Sequence, residues 1–116
     1  MAKAKALIII LSGADSPIKV KLGLNVAWRT KNSGAFEDVK LLFFGPAEDF
    51  IAKTDDKEII EAYGEVLKNN INPQACVFVA EGFGVSKVLQ EKNVELVHAG
   101  QRIAELMAEG YQPMTF

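Results

Sequence analysis

The sequence has a single cysteine, which limits the chemistry that one chain can perform. Because Cys76 has no second cysteine to join, the chain cannot form an internal disulfide, and one thiolate cannot build a metal site. Positive charge is also scarce, since 13 lysine and arginine residues stand against 15 acidic ones and leave a net charge of −2. A nucleic-acid-binding surface needs an excess of basic residues, so we expect no nucleic-acid partner. We also expect no metal ion and no cofactor.

Long apolar segments are missing as well. The longest apolar run near the start, residues 6–11, is far shorter than the roughly 20 residues that cross a membrane. It is also too short for the apolar part of a secretory signal. At 116 residues the chain has the size of one domain. The sequence therefore predicts a single domain over residues 1–116, located in the cytoplasm and without a membrane span.

Short apolar runs rich in branched side chains predict the strands of a buried sheet. Each run is bounded by polar or turn-forming residues, as is typical of strands that are covered on both faces. Amphipathic segments lie between the runs and predict helices. This alternation predicts an α/β fold, a three-layer α/β/α sandwich with a mostly parallel sheet of about five strands. The predicted strands are residues 6–11, 39–44, 75–80, 94–97 and 114–116.

The segment after the first predicted strand has two interpretations. From Ile18 to Val26, apolar residues alternate with polar or small ones, which favours a strand. Ser16 followed by Pro17 is instead typical of a helix start. Ile18, Leu22 and Val26 also recur at every fourth position, as they would on one face of a helix. Since a helix supplies the crossover that two parallel strands need, we predict a helix here.

Three later segments also have helical patterns. Asp55 is predicted to cap the first of them, because Glu58 lies three residues later, as in a capping box. The second, residues 84–92, is shorter. The third has an apolar stripe that includes Ile103 and Leu106, so the chain is expected to end on a helix and a last strand.

The residues that follow the predicted strands are candidate site residues, because parallel sheets bind ligands beyond the carboxyl ends of their strands. At Ser12 and Gly13, two backbone N–H groups ahead of a helix start could hold an anion, although an ordinary turn explains the pair as well. His98 is the only imidazole, and it could tune a neighbouring thiol or serve structurally. The possible site-lining residues are Ser12, Gly13, Gly45, Pro46, Gly82, Phe83 and His98.

Cys76 is the only residue that offers nucleophilic chemistry. A thiol reacts as its thiolate, so it must be accessible and able to lose its proton. The apolar run of residues 75–80 places Cys76 early in a strand and predicts a buried side chain, as in an inert cysteine. From the local pattern alone, a reactive and a structural role both stay open.

Several segments carry a family resemblance through their order and spacing. Ala75 and Cys76 are followed by Gly84-Val85-Ser86 eight residues past the cysteine, and the other segments are residues 23–27, 37–40, 43–48, 94–100 and 109–111. Together they resemble the DsrE/DsrF-like family of small sulfur-handling proteins over essentially the whole chain. The resemblance implies a parallel-sheet α/β/α fold and assembly into trimers or hexamers. It also implies that Cys76 lies near the carboxyl end of its strand and, as in some members, carries sulfur as a persulfide.

These observations lead to hypotheses of three classes. The first is an intracellular sulfur-relay protein, sulfurtransferase-like in its chemistry, in which Cys76 exchanges sulfur with donor and acceptor proteins. The alternative is a non-catalytic oligomeric binding or assembly module with an inert cysteine. The third is a small-ligand or nucleotide-binding module that uses the loops at Ser12-Gly13 and Gly45-Pro46. A homo-oligomer is expected because four aromatic residues exceed what a small monomer exposes: Trp28, Phe36, Tyr111 and Phe116.

Overall fold

The computed structural model describes residues 3–116, which form five strands and six helices. Within this range no helix is both long and apolar enough to cross a lipid bilayer. The strands are β1 (Lys5–Ile10), β2 (Asp38–Phe43), β3 (Pro73–Cys76), β4 (Glu95–Val97) and β5 (Tyr111–Thr115). The helices are α1 (Pro17–Ser33), α2 (Pro46–Lys53), α3 (Lys57–Lys68), α4 (Val77–Phe83), α5 (Ser86–Glu91) and α6 (Ala99–Ala108).

The five strands form one parallel sheet in the order β4-β3-β2-β1-β5. In this sheet Ile8 of β1 is aligned with Leu41 of β2 on one side and with Met114 of β5 on the other. The chain proceeds outward from β1 to β4 and then returns to the free side of β1 as β5. Helices lie on both faces of the sheet, which confirms the predicted three-layer α/β/α fold.

The two faces of the sheet are covered unequally. One face packs against α1, α2, α3 and α5 and holds the larger apolar core, which includes Ile8 and Phe43. The other face packs against α6, whose Ala99 and Leu106 share a smaller core with Cys76. Crossovers between parallel strands are right-handed, so the connection from β4 back to β5 places its helix opposite to the helices of the outward connections. The face that carries Cys76 therefore has a thinner cover.

The predicted helix after the first strand is confirmed as α1, which begins at Pro17. Ser16 occupies the N-cap position but makes no side-chain hydrogen bond there. The predicted apolar stripe is wrong, because Ile18 and Leu22 are exposed. An alternating apolar pattern places apolar side chains on both sides of a helix, and packing against the sheet selects one side. The residues of α1 that this packing buries are Val20, Gly23, Leu24 and Ala27.

The third strand ends earlier than predicted. β3 stops at Cys76, and the residues from Val77 to Ala80, which the sequence predicts as strand, begin α4. The pairing of β2 with β3 ends at Phe43 and Ala75, so the chain beyond Cys76 has no continuing strand beside it on that side. Its backbone polar groups are therefore paired within a helix. The strand prediction is wrong here because branched residues favour strands only where a neighbouring strand is present.

The connection between β2 and β3 also differs from expectation. It contains α2, to which the sequence analysis assigns no helix. In addition, α3 is capped by Asp56 and not by Asp55, since the Asp56 carboxylate accepts the N–H groups of Glu58 and Ile59 at 2.9 and 3.3 Å. A carboxylate at the N-cap reaches the second and third amides of the helix, and Asp55 is one residue too early to do so. The predicted helices over residues 84–92 and around Leu106 are confirmed as α5 and α6.

The four aromatic residues expected at subunit contacts are half-buried within the chain. Trp28, Phe36 and Phe116 pack against the larger core, and Tyr111 packs against the smaller one. These residues therefore give little support to oligomerisation, which stays a prediction. Among residues 3–116, the most exposed large apolar residue is Phe78 on α4, at 65% exposure.

Candidate functional site

The loop after β1 lies against the loop after β2 at the carboxyl edge of the sheet. A Cβ atom on Gly13 would lie 2.6 Å from the carbonyl oxygen of Pro46, so glycine is required for this close approach. The N–H of Gly13 donates to the Asp15 carboxylate at 2.8 Å, and the N–H of Ser12 donates to the Phe116 carbonyl at 3.3 Å. Both N–H groups are thus occupied within the protein, which favours the ordinary turn over an anion site at Ser12 and Gly13.

A cavity of about 540 Å³ lies beside these loops, and two of the predicted site residues, Pro46 and Phe83, line it together. Its wall also carries three carboxylates and one lysine, Lys53, which is paired with Asp49 at 2.6 Å. These carboxylates would repel a phosphate group, so the cavity does not support the nucleotide-binding hypothesis. The lining residues are Ala14, Asp15, Pro46, Asp49, Phe50, Lys53, Thr54, Asp55 and Phe83.

Two of the predicted site residues, Gly82 and His98, do not line this cavity. Gly82 is exposed on α4, and a Cβ atom there would meet no neighbour. His98 is exposed at the N-cap of α6, with its ring centre 5.3 Å from that of Phe78. It lines a separate cavity of about 300 Å³ together with Arg102. The structure thus brings Gly13, Pro46 and Phe83 to one place but leaves Gly82 and His98 elsewhere.

Cys76 is the last residue of β3 and the N-cap of α4, as the family resemblance implies. Cys76 is only 6% exposed and belongs to the smaller core, together with the sheet residue Leu42 and the α6 residue Ala99. It lines neither of the two cavities above. In the described part of the chain, Cys76 joins no cluster of histidine and acidic side chains that could hold a metal ion. Any chemistry at this thiol therefore depends on the groups packed directly around it.

Glu48 is a buried ionisable side chain whose carboxyl group lies against the backbone amide of Cys76. It lies in the first turn of α2 and is fully buried. Its Oε2 accepts the N–H of Gly45 at 3.2 Å, whereas Oε1 has no hydrogen-bond partner. Burial raises the pKa of Glu48 to about 7, although the backbone amides of Gly45 and Cys76 favour the charged form and oppose this rise. Burial therefore favours the neutral form of this carboxyl group.

The sequence analysis did not identify Glu48 as a site residue, although a local signal was present. Gly45-Pro46 is a helix start, and an acidic residue at the third helical position commonly reaches back to the N-cap amide. Here only this half of a capping box exists, since glycine has no side chain with which to complete it. Gly45 has φ +83°, a conformation that side chains other than glycine rarely adopt, and this turn carries Glu48 toward β3.

Comparison with known proteins identifies relatives by structure. No family model matches the sequence, and no curated protein matches it significantly. The structure is similar to that of BT1422, a conserved protein of unknown function from Bacteroides thetaiotaomicron, with a TM-score of 0.79 and 20% identity over 97% of this chain and 94% of that chain. It is also similar to the YchN protein from E. coli, with a TM-score of 0.74 and 15% identity over 97% of this chain and 99% of that chain.

At these levels of identity, the comparisons show a shared fold. The family resemblance found in the sequence agrees with these comparisons at the level of the fold alone.

Proposed function

We propose that this protein is a sulfur-relay protein that carries sulfane sulfur as a persulfide on Cys76. The observation that carries the proposal is the position of this thiol at the carboxyl end of β3, with the buried carboxyl group of Glu48 against its backbone. Parallel sheets typically bind their ligands at this edge. The fold shared with YchN agrees with the family resemblance that suggests the relay. We place the protein in the cytoplasm and treat residues 1–116 as one domain, as the sequence predicts.

The relay needs one thiol and no external oxidant. The Cys76 thiolate attacks the outer sulfur of a donor persulfide, R–S–SH, so that a new S–S bond forms to Cys76 while the donor's S–S bond breaks. The products are the persulfide of Cys76 and the donor thiolate, R–S⁻. An acceptor thiolate then takes the outer sulfur in the same way and restores the Cys76 thiolate. Each step breaks one S–S bond and forms another, so the relay involves no net oxidation or reduction.

The half-buried side chains around Cys76 define the side from which a donor would approach. Phe44, Val79 and Val97 belong to the same small core but are only partly buried. The opposite side of the sheet is closed by the larger core and its helices. A donor sulfur would therefore reach Cys76 past these three residues, on the face covered by α6.

Incubation of the folded protein with a persulfide donor is expected to add the mass of one sulfur atom to the peptide that contains Cys76. Intact-mass and peptide mass spectrometry measure this adduct, and a subsequent thiol reductant should remove it. The Cys76→Ser variant keeps the size of the side chain and is expected to show no adduct. If the folded wild-type protein gains no sulfur while a known persulfide-forming thiol does, the relay function is wrong.

A second candidate function is an oligomeric assembly module with an inert cysteine. It is favoured by the small exposure of Cys76 and by the position of Phe78, whose exposed ring lies beside His98 at the start of α6. Because α6 is the helix that covers this face, the face has apolar surface that a second copy of the chain could cover. The trimer or hexamer that the resemblance implies would be built through this face.

Phe78→Asp is expected to reduce the oligomer to monomers, because a carboxylate would be desolvated at the contact. Light scattering at several concentrations measures the change. Ile60→Asp is a matched control, since Ile60 is 50% exposed but lies on α3, on the other side of the sheet. A wild-type protein that is monomeric at every concentration would contradict the assembly proposal. If the two substitutions changed the oligomeric state equally, the contact between subunits would not lie at Phe78.

A further inference from the structure

We infer that the sulfur donor of the relay is a zwitterionic amino-acid persulfide, such as the persulfide of free cysteine, bound in the cavity of about 300 Å³ beside the start of α6. This inference rests on the proposed relay and names the chemical class of its donor. Arg102 would bind the α-carboxylate of the donor, and Glu105 would bind its α-ammonium group. Both residues belong to α6, the helix that covers the face of the sheet with Cys76.

Arg102 is held in place, but its charge has no partner. The residue is half-buried, and its Nε donates to the side-chain oxygen of Gln74 on β3 at 3.1 Å. Gln74 is itself buried and donates to the carboxylate of Glu95 on β4. Within residues 3–116, Arg102 forms no salt bridge, and the other N–H groups of its guanidinium donate to no protein group. A fixed guanidinium with free N–H groups is suited to the two oxygens of a carboxylate.

Glu105 supplies the opposite charge in the same cavity. It lies three residues after Arg102 on α6, and both side chains line the cavity. In the described part of the chain the two side chains do not form an ion pair, so each charge stays free for a ligand. An α-amino acid carries a carboxylate and an ammonium group on one carbon atom and so matches the pair. Glu105 would instead repel an inorganic anion such as sulfate.

The size and the apolar part of the cavity fit a small sulfur compound. A volume of about 300 Å³ is at the lower end of the range for small-molecule sites, so it suits a free amino acid better than a segment of a protein. Leu96 and Val97 of β4 line the cavity with half-buried apolar side chains. The CH₂–S–SH side chain of cysteine persulfide is uncharged in this form and could pack against them.

Val97 connects the cavity to Cys76. It lines the cavity and also belongs to the smaller core that contains Cys76. The two residues are aligned with each other on the paired strands β3 and β4, and neighbouring strands lie about 4.8 Å apart. Val97 is also one of the three half-buried residues past which a donor would approach. A persulfide bound by Arg102 and Glu105 would therefore bring its outer sulfur to the residue aligned with Cys76.

Transfer from this donor keeps atoms and electrons in balance. The Cys76 thiolate attacks the outer sulfur of cysteine persulfide, so that an S–S bond forms to Cys76 while the S–S bond of the donor breaks. The products are the persulfide of Cys76 and the thiolate of free cysteine, which takes a proton from water and leaves the cavity. The step consumes no oxidant and no reductant.

S-Methyl-L-cysteine is the probe for binding, because a methyl group replaces its outer sulfur and prevents transfer. In an NMR titration of the full folded chain, it should bind saturably and shift the signals of the residues that line the cavity. Arg102→Gln and Glu105→Gln should each weaken binding at least about fivefold, because each removes a charge-assisted contact. Two matched controls should bind the probe as the wild type does: Arg29→Gln, at the only other arginine, and Glu109→Gln, at an exposed acid four residues after Glu105.

Derivatives of the probe assign each contact. The methyl ester has no carboxylate, so it should bind weakly and to the same extent in the wild type and Arg102→Gln. The N-acetyl derivative has no ammonium group and should bind equally weakly to the wild type and Glu105→Gln. An ester that binds the wild type as tightly as the free amino acid would overturn the inference, and this comparison decides even if Arg102→Gln does not fold. Displacement of the probe by equal concentrations of inorganic sulfate would overturn it as well.

The rate of persulfide formation on Cys76 tests whether the bound amino acid acts as the donor. Cysteine persulfide and an uncharged alkyl persulfide are compared, and mass spectrometry measures the adduct. Arg102→Gln should slow transfer from cysteine persulfide at least about fivefold and leave transfer from the alkyl persulfide unchanged. Equal losses with both donors would show that Arg102 has a structural role alone and would overturn the inference.

The two measurements separate failure of the donor site from failure of the relay. Transfer from both donors at equal rates, with no binding of S-methyl-L-cysteine, would leave the relay standing and overturn the donor site. Binding of S-methyl-L-cysteine without transfer from either donor would contradict the relay, and the cavity would then bind an amino acid that is not a sulfur donor.

Discussion

Phe43→Ala is expected to lower the free energy of unfolding by about 3–5 kcal/mol, because the substitution leaves a cavity in the larger core that the sheet cannot close. Phe43 is fully buried at the end of β2, a strand with neighbours on both sides. Its ring centre lies 6.2 Å from that of Tyr63 on α3, so the side chain joins the sheet to the helix layer. Phe43 is also aligned with Ala75, the residue before Cys76. The loss would thus loosen the strand end that carries the thiol.

Urea denaturation measures this change, and the denaturant dependence should keep its slope if the native state stays compact. Phe83→Ala is the matched control, since it removes the same ring from an exposed position at the end of α4. It should cost less than about 1 kcal/mol. If the two variants lose similar amounts of stability, the ring of Phe43 does not act as the centre of the core.

The parts of the fold that could be predicted from the sequence are those whose burial is determined locally. β1 and β2 are continuous apolar runs, and such a run has no stable arrangement other than a strand covered on both faces or a buried helix. Both were placed within one residue of their observed ends. Their parallel direction could be predicted from the helix between them, because parallel strands need a crossover connection.

The errors lie where distant contacts decide the conformation. Val77 and Val79 are branched residues that favour a strand, yet they lie in α4 because the pairing of β2 with β3 ends at Ala75. The sequence around residue 77 does not indicate where the neighbouring strand β2 ends. The apolar stripe of α1 was misassigned for a similar reason, since Val20 and Ile18 are equally apolar and only the sheet distinguishes them.

The candidate site was predictable in part. The position of Cys76 at a strand end followed from the family resemblance, while its small exposure agrees with the apolar pattern around it. Glu48 could not be identified as buried, because a glutamate in the segment Gly45-Pro46-Ala47-Glu48 is expected in solvent. Its burial depends on residues far apart in the chain, because α2 packs against α4 and α5.

The burial of Glu48 makes the stability of the fold depend on pH. The pKa of Glu48 rises from 4.5 to about 7 on folding, so the native state binds more protons than the unfolded state between these values. The stability associated with the neutral carboxyl group is fully present below about pH 4.5. It is lost as the pH rises through about 7, and the loss approaches about 3 kcal/mol by pH 8.

Glu48→Gln should therefore be more stable than the wild type at pH 8, by up to about 3 kcal/mol, and nearly equal to it at pH 5, because the amide has no charge to bury. Urea denaturation at the two pH values measures the difference, with Asp49→Asn as the control that should show no such crossover. A variant that is destabilised equally at both pH values would contradict a buried ionisable role. A crossover of this kind would show that the buried carboxyl group of Glu48 lowers the stability of the fold at neutral pH and above.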